Sequence, residues 1–210
     1  MPILKSGEAT PAWCEMTHFD ILRLAPGEQH SYARAAKKER LFVCEGKCRI
    51  NYHGASLLVE RGAKLELTNE AGQFEVVEVL EDSTLVRVCG HWGSVLGGSG
   101  LFSVVTSDNP QDKGDPVAYP KATNFDCHYH DYDEYWIFYK GSGTAMTEGK
   151  HYTFAAGDCV ATGAGHHHDF PSVDGRVEGV FFETTVEAPG RRGHLWNHTH
   201  GPAQPRPERV

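Results

Sequence analysis

The sequence predicts an all-β chain built as two tandem barrels, and three observations carry that prediction. Short apolar runs rich in Val, Phe, Tyr and Thr recur through most of the chain. Glycine turn signals (EG, HG, RG, KG, DG) separate them at close spacing. No stretch of ten or more residues keeps a helical period. Many short strands at close spacing suggest a sandwich or barrel in each half.

Taken in order, MTHFDILRL (Met16 to Leu24) alternates as an entry strand. Strand-like runs follow at Leu41–Cys44, Leu57–Val59, Glu75–Leu80 and Leu85–Val88. GHWGSVLGGSGLFSV and SDNPQDKGDP, rich in Gly and Pro, then form the connection, with a boundary near Gly100. The second half contributes Trp136–Tyr139, Tyr152–Phe154 and Val177–Thr185. The domains expected are 1–100, 101–190 and an extended, mobile Pro-rich tail over 191–210.

The two halves repeat at an offset of 95 residues. Glu39 falls on Glu134, Gly46 on Gly141, Gly54 on Gly149 and Gly62 on Gly157, with the apolar runs LFVC over WIFY and SLLV over HYTF. Three turns at one spacing imply one architecture built twice.

Composition narrows the function. With 40% hydrophobic and 23% charged residues over 210 positions, the chain can bury a core. A net charge of −8, without long Lys/Arg clusters, argues against nucleic acid or an anionic membrane as partner. No apolar run reaches the roughly 20 residues of a membrane span, and MPILKSGEATPAW lacks the features of a signal peptide. Six cysteines without a CxxC pair suggest reduced, buried thiols in a cytoplasmic protein; Cys127 and Cys159 beside the motifs, and Cys44 and Cys48 around the Gly46 turn, are expected to pack rather than react. The partner that remains is a small molecule.

The 13 histidines are the one compositional excess. His128 and His130 share a face of an extended segment, because alternate side chains point together. Glu134 returns to that face after a short loop, Trp136 and Phe138 continue its parity, and His168 arrives from a second glycine-turn element. By the same parity His166 points with His168 while His167 points away.

HxHxxxE followed by six residues and Gly, then G-x5-P-x-G-xx-H, is the paired motif of the cupin superfamily, and this chain resembles it. His128, His130, Glu134 and Gly141 match the first part; Gly157, Gly165 and His168 match the second, with Gly163 where proline is usual. The resemblance spans roughly Ala25 to Thr185 and implies a bicupin of two jelly-roll barrels. It implies metal ligation by His128, His130, Glu134 and His168, a set suited to one divalent transition ion: Mn, Fe, Ni, Co or Zn. It also makes a homodimer a reasonable expectation. At the repeat offset the ligands fall on Ala33, Ala35, Glu39 and Gln73, so the first barrel is expected to hold no metal; His30 misses the spacing.

Around the ion, Asp131, His166 and Tyr129 are the candidate catalytic residues, with Asp133 and Asp169 further candidates for proton transfer and Asp169 or Asp131 for orienting an imidazole. Trp136, Phe138 and Tyr139 are the candidate substrate pocket, and Tyr132 stands nearby. His194, His198 and His200 of the tail resemble a second ligand group without a carboxylate, and Trp196 could dock the tail. The chemistry expected first is Lewis-acid isomerisation, elimination or lyase action on a small oxygen-rich compound, a sugar derivative or keto acid. A dioxygenase using Fe, Ni or Mn at the same ligands is the alternative, and a non-catalytic binding protein the third.

Overall fold

The computed structural model describes residues 3–67, 72–108, 110 and 113–209; Asn109, Gln111 and Asp112 of the expected connection lie outside them. The chain divides into two compact units, one of residues 6–11 and 15–92, the other of 3–5, 12–14 and 93 onward. Strand β1 (Ile3–Lys5) therefore belongs to the second unit, although it opens the chain.

The first unit is one antiparallel sheet of β2 (Met16–Leu24), β3 (His30–Ala33), β4 (Lys38–Tyr52), β5 (Ala55–Glu60), β6 (Lys64–Leu67) and β7 (Gln73–Gly90). The second adds β8 (Ser99–Val105), β9 (Glu134–Lys140), β10 (Ser142–Thr147), β11 (Lys150–Ala155), β12 (Asp158–Thr162), β13 (His168–Val173) and β14 (Arg176–Glu183). Its five-stranded sheet runs β1-β12-β9-β14-β8 and its three-stranded sheet β11-β10-β13. The one helix among the described residues is a single turn, α1 (Asn197–His200), and no helix is long and apolar enough to cross a membrane.

The repeat holds from β4 through β7, which the offset places on β9 through β14. β11 is β5 moved by the same offset, and the hairpin pairs Lys47 with Glu60 in one unit and Ser142 with Ala155 in the other. Glu39 opposes Leu67 as Glu134 opposes Thr162, and Ala33 opposes Gln73 as His128 opposes His168. Gly46 and Gly141 take φ of 76° and 84°, which other residues rarely adopt. At each, a Cβ would strike backbone, Asp82 O at 2.2 Å and Arg176 O at 2.4 Å. Glycine therefore keeps the register in both units.

Each unit buries its own core. In the first, Leu41, Val43, Ile50, Phe74, Val76 and Leu85 interlock between β4 and β7. In the second, the rings of Phe138 and Phe154 stack at 3.8 Å and those of Trp136 and Phe170 at 4.2 Å. Such pairs add to ordinary burial. Phe138 is wholly buried, so Phe138→Ala is expected to destabilise the second unit by roughly 3–5 kcal/mol. Urea unfolding followed by tryptophan fluorescence measures this; a loss below about 1 kcal/mol would contradict the packing described.

Candidate metal centre

Two segments of the second unit cross to form the centre. His128 and His168 exchange backbone hydrogen bonds (3.3 and 2.9 Å), fixing the two segments side by side. Alternation then turns His128 and His130 inward, while Tyr129 between them bridges to Leu195. Glu134 opens β9 and His168 opens β13, so both sit where a strand begins at the mouth of the barrel.

Nε2 of His128 lies 3.2 Å from Nε2 of His130 and 2.9 Å from Nε2 of His168. Oε2 of Glu134 lies 3.3 Å from His130 Nε2 and 3.1 Å from His168 Nε2. All four donor atoms fall within 4.8 Å of one another, and all four residues are buried. The outer nitrogens decide what the inner ones are. Nδ1 of His128 meets the Asp126 carbonyl at 2.8 Å, that of His130 the Gly193 carbonyl at 2.9 Å, and that of His168 the His166 carbonyl at 2.9 Å. A carbonyl only accepts, so each Nδ1 carries the proton and each neutral imidazole presents a bare Nε2 lone pair to the centre. Glu134 Oε2 has no hydrogen-bond donor there. Lone pairs and a carboxylate aimed at one dry point require positive charge, and this cluster is suited to a metal ion.

Electrostatics agree. Burial, reinforced by His168, lowers His128 to about 3. Burial also lowers His168. His130 goes the other way: burial would lower it, but Glu134 and Glu183 raise it above 6.5. Burial would raise the Glu134 carboxyl, yet His130 and His168 hold it well below the usual range.

The other candidates are placed differently. Asp131 faces outward and is gripped by Arg191, whose Nε and Nη2 reach its two oxygens at 2.8 and 2.9 Å. Tyr129 has the parity opposite to the ligands, and its hydroxyl donates to the Gly201 carbonyl at 2.7 Å. His166 does not follow strand parity, because Gly163–His167 is a turn with Gly165 at φ 79° rather than extended chain. Its Nε2 lies 3.2 Å from the Arg206 carbonyl, and with His167 it lines a separate cavity of about 590 Å³. None of these three side chains touches the centre, although the His166 carbonyl holds His168. Asp169 is buried against Tyr119 and Lys121 at 2.8 and 2.9 Å and plays a structural part. Of the pocket residues, Trp136 abuts His168 at 5.2 Å between ring centroids. Phe138 lies deeper in the core, and Tyr139 points to the other face, donating to Glu178 at 3.0 Å. All six cysteines are buried, and burial raises Cys14 to about 11.

The tail is not loose. His198 Nδ1 meets Asp115 at 2.9 Å and His200 Nδ1 accepts the Trp196 amide at 3.0 Å, so neither belongs to a metal group among the described residues. His194 does: it groups with Asp126 and His128. Two residues of the centre, Glu183 and Asp126, were not singled out from sequence as its neighbours. Glu183 opposes Glu134 across β9 and β14, and its buried carboxyl lies 3.8 Å from His130 Nε2. Burial first, then Glu134, raises its pKa. Its signal was a charge inside the apolar run VFFETT. Tyr132 stacks on His130 at 4.8 Å and 15°. Asp126 lies 3.4 Å from His128 Nδ1.

In the first unit the matching carboxylate survives and its imidazoles do not. Glu39 is fully buried, accepts the amides of Ala35 and Ala36 at 2.5 and 3.1 Å, and lies 3.2 Å from Arg34 Nε and 3.8 Å from Arg87 Nη1. Two guanidinium groups supply there the positive charge that a buried carboxylate needs.

Comparison with known proteins agrees with this geometry. The profile of the cupin domain matches residues 117–184. An uncharacterized protein of Sinorhizobium fredii, y4oW, is 43% identical over the whole chain and 97% of its own length. Among solved structures, AerE of Microcystis aeruginosa superposes with a TM-score of 0.55 at 9% identity, covering 79% of this chain and 86% of that one. Oxalate decarboxylase of Bacillus subtilis, which has Mn(II) centres, superposes with a TM-score of 0.54 at 9% identity, covering 91% and 79%. At such identities the structural likenesses speak for the fold alone.

A proton and a metal ion compete for this centre, and His130 is where they meet. Because its folded pKa is raised, His130 takes up its proton at a higher pH than a free imidazole does. Affinity for a divalent ion is therefore expected to fall as pH drops through that raised value, because the ion then has to displace a proton from His130. Calorimetry of Co(II) binding in two buffers of different ionisation enthalpy measures that displacement; equal enthalpies, with affinity unchanged between pH 8 and pH 6, would contradict it.

Proposed function

We propose that this chain, which belongs to the cupin superfamily, is an enzyme that holds one divalent transition ion on His128, His130, Glu134 and His168. It acts on a small oxygen-rich compound, a sugar derivative or keto acid, by isomerisation, elimination or lyase chemistry. The observation that carries the proposal is the inward aim of three Nε2 lone pairs, each set by a backbone carbonyl on the opposite nitrogen. A divalent ion bound there would supply Lewis acidity toward a carbonyl or adjacent hydroxyl oxygen.

The chain's own residues supply the rest. Trp136, beside His168, gives the site an apolar wall that excludes water. Tyr132 stacks on the face of His130 and accepts the Gly193 amide at 3.0 Å, so it supports both that ring and its carbonyl partner. Glu183 is the group able to move a proton, being a carboxyl beside the ligands with no metal-binding geometry of its own. Its raised pKa suits a carboxyl that holds a proton in one step and yields it in the next. This assigns to Glu183 the role the sequence offered to Asp131, His166 or Tyr129.

Element analysis of protein purified without added metal tests the reading. About one divalent ion per chain is expected, from a four-donor site of this kind. His128→Ala and His168→Ala should lose it; Glu183→Gln should keep it while turnover falls by about 10²–10⁴-fold. Full metal content in His128→Ala would remove the ion from this site. Oxygen consumption during turnover would replace the proposed chemistry with that of a dioxygenase.

A further inference from the structure

We infer that the segment Gly190–Arg209 is a working part of the metal centre, a strap whose seating on the barrel and whose metal binding are coupled, with His194 as the positioning residue. The inference rests on the metal reading above and extends it to residues beyond the two motifs.

The strap reaches the ligands directly. The Gly193 carbonyl is the acceptor that orients His130. The His194 ring lies flat against His128, with centroids 3.6 Å apart and planes within 6°. Nδ1 of His194 meets Asp126 Oδ2 at 2.9 Å, and Trp196 Nε1 donates to the same oxygen at 3.0 Å. Asp126 also lies 3.4 Å from His128 Nδ1, so one half-buried carboxylate ties the strap to a ligand. His194 is not among the four converging donors. It acts through His128, as a partner that fixes the angle of that ring.

The rest of the strap is anchored on both sides of these contacts. Leu195 and Tyr129 exchange two backbone hydrogen bonds of 3.0 Å between the two ligating histidines. Arg209 Nη1 sits 2.8 Å from both oxygens of Asp133, a buried residue next to Glu134. The second motif makes room for the strap. A Cβ on Gly163 would lie 2.3 Å from the Arg209 carbonyl, and one on Gly165 2.1 Å from the Gln204 carbonyl. Gly163 is the position at which this chain departs from proline. That departure gives the strap's backbone its path, so the strap is written into the motif that carries His168.

Groups that orient a metal-bound imidazole typically carry 10–100-fold in affinity. Coupling is reciprocal: if the strap tightens the ion, the ion tightens the strap by the same factor. Arg191 and Arg192 are exposed at its start, so trypsin reports whether it is seated.

The experiment uses the full chain and Co(II). In His194→Ala, and in Gly163→Ala, which crowds the strap without touching a donor or its partner, the Co(II) dissociation constant should rise about 10–100-fold. The visible bands of bound Co(II) should change shape in His194→Ala. Saturating Co(II) should slow cleavage after Arg191 and Arg192 in the unmodified chain and leave His128→Ala unprotected. Unchanged affinity and spectrum in both variants would overturn the inference while leaving the four ligands intact. So would trypsin cleavage that ignores Co(II), a result that stands even if a variant fails to fold. An unmodified chain that binds no Co(II) would overturn the metal reading and this inference together.

Discussion

Three imidazole nitrogens and one carboxylate oxygen meet at a point from which water is excluded, and that meeting sets the terms for everything around it. Bare lone pairs at about 3 Å repel unless a cation or proton lies among them. The surrounding backbone makes the arrangement deliberate, because all three outer nitrogens are committed to carbonyls. A cluster assembled for packing would be expected to let at least one ring donate to its neighbour. The unusual residue is Glu183, a second buried carboxyl beside a centre that already has one. Burial makes it reluctant to ionise next to Glu134, whose own carboxyl is held well below the usual range by the imidazoles of His130 and His168.

The first unit shows what the same plan does without imidazoles. Its strands pair in the same register, down to Ala33 opposing Gln73 where His128 opposes His168. Glu39 could not remain buried and charged by itself, and the unit meets that constraint with Arg34, Arg87 and two backbone amides. Arg87 is in turn held by Asp20 at 2.8 Å and the Ala33 carbonyl at 2.9 Å. A guanidinium network fixes geometry as an ion would, but it offers no open position to a substrate. The asymmetry between the two units is therefore chemical rather than architectural.

Most of this plan could be seen in the residues beforehand, for physical reasons that also mark where the reading stopped. The fold was legible because glycine turns at a fixed offset and short apolar runs are local signals. The convergence of His128, His130, Glu134 and His168 was legible because alternation puts the first two on one face and the paired motif adds the others. The side chain of His166 lies apart from them because alternation ends where the chain turns at Gly165. Asp131 and Tyr129 are held by Arg191 and Gly201, at least 60 positions away, which no local pattern announces. Strand β1, which pairs with β12 across some 150 residues, left no local trace for the same reason. Glu183 did leave one, a lone carboxylate in an apolar strand, and such a residue is best read as facing something that needs it.

The substitution of Gly163 for proline carries a last step. Judged within its own turn, the change only loosens the chain, since proline stiffens such a position and glycine frees it. Judged against the rest of the molecule it is a fit, because any side chain there would meet the backbone of Arg209. Stiffness lost at one turn is thus recovered as contact with a segment nearly 50 residues later, and that segment places Arg209 against Asp133, next in sequence to Glu134. A motif position that departs from its family pattern is then more than a weakened copy. It marks where the last segment of this chain, at Gln204 and Arg209, packs against the turn that leads to His168.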